Sequence, residues 1–205
     1  MSQSEQLESA LRDAAAQPIG DPPDLSAAAA AAGVLDVAYA MLESPVGELL
    51  LAATDVGLVR IAYLDHEEQA QILEELAMRL SPRVLAAPRR LDETRRELEQ
   101  YFTGARSTFE LPLDWRLTRG FGRRVLEATV RIPYGAVSSY KQVATDAGSP
   151  RGSRAAGNAL GANPLPIVVP CHRVLHSGGG LGGYTGGLER KRMLLAVESG
   201  QSTLA

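Results

Sequence analysis

Residues 139–163 read SYKQVATDAGSPRGSRAAGNALGAN, and the shape of the second half of the chain turns on them. Ser139 and Gln142 stand at capping-box spacing, where reciprocal bonds satisfy donors that a helix start leaves free. Tyr140, Val143, Ala144 and Ala147 follow at i, i+3, i+4 and i+7, one face of a helix. Gly148-Ser149-Pro150 breaks it, and a second helix is expected near Ser153 to Gly161. Two helices joined by a short turn containing glycine form a helix-turn-helix. The second helix is nearly bare of bulk, with Ala155, Ala156, Gly157 and Ala159. Small residues let a backbone approach its partner closely, whether that partner is DNA or another helix. Arg151 and Arg154 at its start favour DNA.

Upstream, Phe121, Val125 and Ala128 line one face of a further helix whose other side carries Arg119, Arg123, Arg124 and Arg131, with Pro133 just past its end. Earlier still the texture is that of strands. From Val37, the runs VAYAML, ELLLAA and LVRIAY are separated by Ser44-Pro45-Val46-Gly47 and Thr54-Asp55-Val56-Gly57, which read as turns of an antiparallel sheet. Asp65 with Glu68 marks a helix start, followed by Ile72, Leu73, Leu76 and Leu80 on one face. A second helix carries Leu91, Leu98, Tyr101 and Phe102 and ends near Gly104. The expected organisation is an extension at 1–34 with six consecutive alanines, an α+β domain at 35–114, a mostly helical domain at 115–200, and a tail at 201–205.

The 205 residues are 45% hydrophobic and 22% charged, enough apolar surface for a real core. No apolar run approaches a membrane span, and the acidic start MSQSEQLESALRD lacks the blocks of a signal peptide, so a cytoplasmic protein without membrane contact is expected. The net charge of −3 averages two unlike halves. Residues 1–114 hold 9 Lys/Arg against 20 Asp/Glu, a net −11, and residues 115–205 hold 12 against 4, a net +8. A polyanion, if one binds, meets the second half.

Downstream of the helix pair, Asn163-Pro164-Leu-Pro-Ile-Val-Val-Pro170-Cys171-His172-Arg173-Val174 contains the only cysteine. One cysteine forms no internal disulfide, and with only His66, His172 and His176 beside it there is no recognisable zinc set. An isolated cysteine among apolar residues is most often inert. Here it follows the strand-like run Ile167 to Val169, which would put it at a strand end. It directly precedes His172 and Arg173, a base and a cation able to hold a thiolate. Ser177-Gly178-Gly179-Gly180-Leu181-Gly182-Gly183-Tyr184 then supplies a glycine-rich loop whose backbone can approach a ligand.

Pro170-Cys171-His172-Arg173-Val174, with Asn163-Pro164 before it and Tyr184-Thr185-Gly186-Gly187 after it, resembles the signature of the O6-alkylguanine-DNA alkyltransferases, or methylated-DNA–protein-cysteine methyltransferases. The similarity reaches back through Ile132-Pro133-Tyr134-Gly135, Ser139-Tyr140 and Arg154 and forward to Glu198. The resemblance implies an α+β fold, with an N-terminal small antiparallel sheet with helices (ribonuclease H-like) and a C-terminal mostly helical, winged-helix-like domain with the helix-turn-helix. It implies direct-reversal DNA repair: one irreversible transfer of an alkyl group from O6-alkylguanine to Cys171 after the nucleotide is flipped, without cofactor or metal. The zinc site of some members lacks its ligands here.

By position, the resemblance makes Cys171 the acceptor, His172 a base acting through water, Glu198 the carboxylate orienting His172, and Asn163 the brace of the active-site turn. Tyr140 would donate to guanine N3. Val174 and Cys171 would accept from the exocyclic amine through their carbonyls, the Thr185 N–H would approach O6, and Tyr184 would wall a pocket completed by Gly186 and Lys191. Arg154 would fill the gap left by the flipped nucleotide, or hold a phosphate. Arg151, Ser153, Ala155, Gly157, Asn158 and Arg173 would accompany it on double-stranded DNA, in the minor groove and without sequence preference, with the protein a monomer in solution. For Glu198, spacing from Leu194 and Leu195 independently predicts an inward face, with an ion pair to Lys191 as the structural alternative. Two rivals remain: a DNA-binding regulator or lesion-recognition protein that transfers nothing, and a cysteine hydrolase using Cys171 with His172. Neighbours in an extended segment point to opposite sides, which disfavours a direct thiol–imidazole pair.

Overall fold

Period-2 alternation in Leu49-Leu50-Leu51-Ala52 decides where the sheet sits, because every one of these side chains is buried. Leu49 and Leu51 face one apolar cluster, and Leu50 and Ala52 face another. The strand is therefore the centre of a layer covered on both sides. The computed structural model describes residues 35–200, so the extension and tail expected at 1–34 and 201–205 lie outside the described residues.

Strands β1 (Val37–Leu42), β2 (Leu49–Ala53) and β3 (Leu58–Tyr63) pair antiparallel, as the turn spacing predicts. A register shift at Ala52/Ala53 leaves Val59 as an extra residue between the partners Arg60 and Leu58. The sheet is not purely antiparallel. A short β4 (Val84–Ala86) joins the far side of β1 in parallel, giving the order β3-β2-β1-β4. Helix α1 (Gln69–Arg79) follows β3 and buries Ile72 and Leu76 against Leu50, Val59 and Ala62. It starts later than the Asp65 signal suggests. Glu68 is the extended cap residue without a side-chain cap bond, and the Asp65 carboxylate accepts from Arg190 at 2.6 Å instead.

The opposite sheet face meets α2 (Asp92–Phe102), which buries Leu98, Tyr101 and Phe102. The same cluster continues without a break into α3 (Gly120–Val130), α4 (Tyr140–Asp146), α5 (Ser153–Gly161) and α6 (Leu188–Glu198). A small parallel pair, β5 (Ser138–Ser139) with β6 (Val174–Leu175), ties the helix-turn-helix to the segment carrying the cysteine. The Ser139 hydroxyl accepts from the Gln142 N–H at 3.1 Å, as the capping pattern requires. Helix α5 turns Ala156 and Leu160 inward and leaves Arg151, Ser153, Arg154, Ala155 and Asn158 exposed around its start and outer face. Its small residues serve packing too, since a side chain at Gly157 would lie against the Tyr140 ring.

Leu50→Ala removes buried bulk between β2 and α1, on the sheet face away from the cysteine. Urea unfolding should show a loss of about 2–5 kcal/mol with an unchanged slope.

Candidate functional site

The cysteine segment is not a strand. Residues 164–170 form tight turns, Ile167 adopts φ 75°, and Cys171–Arg173 make a 3-10 turn. A β-branched residue in the left-handed region costs on the order of 1–3 kcal/mol, and surrounding bonds must hold it there. Asn163 supplies several. Its Nδ2 donates to the Val169 carbonyl at 2.9 Å and to Cys171 Sγ at 3.2 Å, and its Oδ1 accepts from the Leu165 N–H at 3.0 Å. From the sheet, the Ile61 N–H donates to the Pro164 carbonyl at 2.8 Å.

The resulting turn leaves Cys171 only 4% exposed. Burial pushes its thiol up to about 11, against which Asn163 and the Lys191 charge pull weakly. The reading of His172 and Arg173 as able to hold a standing thiolate is therefore corrected: at neutral pH the sulfur keeps its proton. Arg173 is itself buried and not a DNA contact. Its guanidinium donates Nε to Glu198 Oε2 at 2.9 Å, Nη2 to Glu198 Oε1 at 2.8 Å, and Nη1 to the Ile132 carbonyl at 2.6 Å.

Glu198 is the centre of this arrangement. Its Oε1 also lies 2.7 Å from His172 Nε2 and accepts from the Tyr101 hydroxyl at 2.7 Å, and its Oε2 accepts from the Gly135 N–H at 3.2 Å. Burial alone would raise this carboxyl, yet the donors from His172, Arg173 and Tyr101 outweigh it and hold the group down at about 2. Burial in turn lowers His172 from its ordinary range despite the neighbouring carboxylate, so the ring is neutral at pH 7. An ionised carboxylate only accepts, so the assigned tautomer carries its proton on Nε2. The lone pair is left on Nδ1, which is buried and has no hydrogen-bond partner among the described residues.

Lys191 does not pair with Glu198. Its ammonium donates to the carbonyls of Val174, at 2.7 Å, and of Leu181, fastening the glycine-rich loop to α6. Burial brings the amine down to about 8. Gly182 of that loop has φ 67°, and a side chain there would collide with the Tyr140 hydroxyl, so glycine is needed for close approach.

Cys171 lines a cleft of about 870 Å³ together with Tyr140, Ser153, Arg154, Gly157, Gly183, Tyr184 and Thr185. The cleft thus runs from the thiol to the start of the basic helix-turn-helix. Val174, Gly186 and Lys191, expected in the pocket, lie behind its wall. Lys191 is fully buried on the Val174 carbonyl, and Gly186 is packed where any side chain would meet the Tyr63 ring. His176, not singled out for a role by the sequence, also lines the cleft and packs on Tyr140 at 5.1 Å between rings.

The sheet half contributes groups that the sequence reading left out. Tyr63 on β3 shares a 2.7 Å hydrogen bond with the Tyr184 hydroxyl. Arg190 stacks over Tyr63 at 4.5 Å and donates to the Gly186 carbonyl at 2.9 Å. Tyr101 reaches Glu198. The signal for both tyrosines was available: a buried phenol in a strand or on a core-facing helical stripe must find a partner for its hydroxyl.

Comparison with known proteins agrees with this architecture. The family model for the 6-O-methylguanine DNA methyltransferase ribonuclease-like domain matches residues 37–115, and that for the same family's DNA binding domain matches residues 120–200. The methylated-DNA–protein-cysteine methyltransferase of Methanosarcina barkeri is 37% identical over 160 residues, covering 78% of this chain and 96% of that protein. Its counterpart in Mycolicibacterium paratuberculosis is 39% identical over 162 residues, covering 79% and 92%. The Mycobacterium tuberculosis OGT, solved in complex with DNA, superposes with a TM-score of 0.69 at 35% identity, covering 82% of this chain and 98% of that one. A Pyrococcus kodakaraensis O6-methylguanine-DNA methyltransferase, at 23% identity and a TM-score of 0.57, shares the fold. The chain belongs to the 6-O-methylguanine DNA methyltransferase family, the methylated-DNA–protein-cysteine methyltransferases, which act in DNA repair by alkyl transfer.

Proposed function

We propose that the chain removes the alkyl group of O6-alkylguanine in duplex DNA by accepting it on Cys171 Sγ, once per molecule. One observation carries the reading: the only cysteine lines a cleft that opens at the exposed arginine end of the helix-turn-helix. An alkyl group on O6 lies inside the base stack, so the nucleotide must rotate out, at roughly a few kcal/mol. Arg154, at the cleft and without a bond to other described residues, is the group to fill the space left behind. Arg151, Ser153, Ala155, Gly157 and Asn158 would meet the backbone of the minor groove without reading sequence, which makes binding salt-sensitive.

The displacement forms an S–C bond as the C–O6 bond breaks, and the electron pair departs with the guanine. A thiol pushed up to about 11 must give up its proton first. His172 Nδ1 is the acceptor, through a bridging water, while Glu198 steadies the imidazolium that results. Tyr140 in the cleft would donate to guanine N3 as charge develops, and Thr185 N–H would approach O6. Asn163 keeps the turn and the sulfur in register. The product is a thioether, which thiol exchange does not open, so the protein is spent after one event. We also place the division between the halves near Asp114, and read the protein as a cytoplasmic monomer.

Intact-mass analysis after incubation with duplex DNA carrying O6-methylguanine should show a gain of one methyl, absent in Cys171→Ala; a gain in that variant would refute the assignment. Arg154→Ala should slow transfer on duplex DNA by about tenfold or more, with a smaller effect on a single-stranded substrate. Equal duplex rates at unchanged DNA affinity would remove Arg154 from flipping.

The proton balance also fixes an acid response. Glu198 is lowered by folding, so its contribution to stability is complete above the unfolded value near 4.5 and fades as pH falls toward about 2. His172, also lowered, adds a penalty that begins below the ordinary histidine value of 6.5. The melting temperature should therefore decline from about pH 6.5 downward. In Glu198→Gln the decline between pH 4.5 and 2 should be shallower than in the parent protein.

A further inference from the structure

We infer that Tyr101, contributed by the sheet half, is a positioning residue for alkyl transfer: its hydroxyl holds Glu198 in line with His172 and restrains the carboxylate's pull on the imidazole proton. The inference rests on the alkyl-transfer reading of Cys171 and His172 given above. It concerns a residue outside the DNA-binding half.

The ring of Tyr101 is fully buried and gripped by Phe109 at 5.3 Å and, edge to face, by Tyr134 at 6.0 Å. A phenyl ring would fill that space equally well, as the neighbouring Phe102 illustrates. The hydroxyl is the part that needs explaining. It donates to Glu198 Oε1 at 2.7 Å and stands 3.4 Å from His172 Nε2, so it touches both members of the relay. Burial and the adjacent carboxylate raise its pKa far above the working range, so it keeps its proton and remains a donor. Oε1 then shares its electron density among three donors: the phenol, the Arg173 guanidinium and the imidazole N–H.

Two consequences follow. Each donor on Oε1 makes that oxygen a weaker base, so the phenol keeps His172 from being over-stabilised as imidazolium and retained in the protonated, inactive form. The phenol also fixes the carboxylate plane from a second side, because Arg173 and Gly135 belong to the C-terminal half. The other titratable groups around this pair are Arg173, Tyr134, Tyr184, Lys191 and Cys171, and none of them replaces a neutral donor on Oε1.

The test is the single-turnover rate of methyl transfer from O6-methylguanine duplex DNA at saturating DNA, followed against pH. Tyr101→Phe keeps the ring. It should lower the plateau rate about tenfold and move the acid limb to higher pH. In a Glu198→Gln background the same substitution should add little, because its effect passes through that carboxylate. An unchanged plateau and acid limb in a folded Tyr101→Phe protein overturns the inference, as does a full additive loss beside Glu198→Gln. Should Tyr101→Phe fail to fold, difluorotyrosine at position 101 is the second probe. Its stronger donation should move the acid limb to lower pH, and a stationary limb overturns the inference. A parent protein that transfers no methyl would instead refute the alkyl-transfer reading itself.

Discussion

A single buried carboxylate organises this molecule. Glu198 sits at the end of α6, yet its two oxygens gather donors from α2, from the turn at Gly135 and from the 3-10 turn beside the cysteine. Leaving such a charge unpaired in a core is costly, and breaking a buried pair by removing one partner typically costs about 3–5 kcal/mol. The arrangement is therefore strongly specified. Because the carboxylate is satisfied only when all three segments are in place, the geometry of His172 is a property of the whole fold rather than of the loop that carries it.

The second constraint is the opposite of charge pairing. The Cys171 sulfur is kept protonated by its apolar surround, against the weak pull of the Asn163 amide, and the turn beneath it carries a strained Ile167. A protein that uses its nucleophile once gains from this. A buried neutral thiol is a poor target for adventitious oxidants and electrophiles, since the thiolate is the reactive form. In the proposed mechanism, reactivity appears when a substrate fills the cleft and a base takes the proton. The sheet half contributes Tyr63, bonded to the Tyr184 hydroxyl behind the cleft, and Tyr101, bonded to Glu198.

Much of this was legible in the residues. The capped helix at Ser139, the bare helix from Ser153 and the inward face of Glu198 were readable because local rules decide them: a cap pattern, a glycine break, a helical period. The order Pro170-Cys171-His172-Arg173 pointed to the chemistry. What escaped was non-local. The apolar run Ile167 to Val169 reads as a strand, but side-chain bonds from Asn163 bend it into a turn. Arg173 looked like a free cation until Glu198, 25 residues away, claimed it. Val84–Ala86 carries too few residues to announce a parallel edge strand. Tyr101 hides in an apolar stripe, where its ring satisfies the pattern and its hydroxyl leaves no trace.

On this account Cys171 rests as a neutral thiol and gains its reactivity from the site rather than from a lowered pKa. With one cysteine in the chain, alkylation by a small soluble electrophile, followed by mass in the absence of DNA, reports that thiol alone. The account predicts a slow rate at pH 7 that keeps climbing to the alkaline limit of the folded protein, in line with a thiol near 11. A fast rate at pH 7 that has already levelled off would mean a standing thiolate, and would contradict the account.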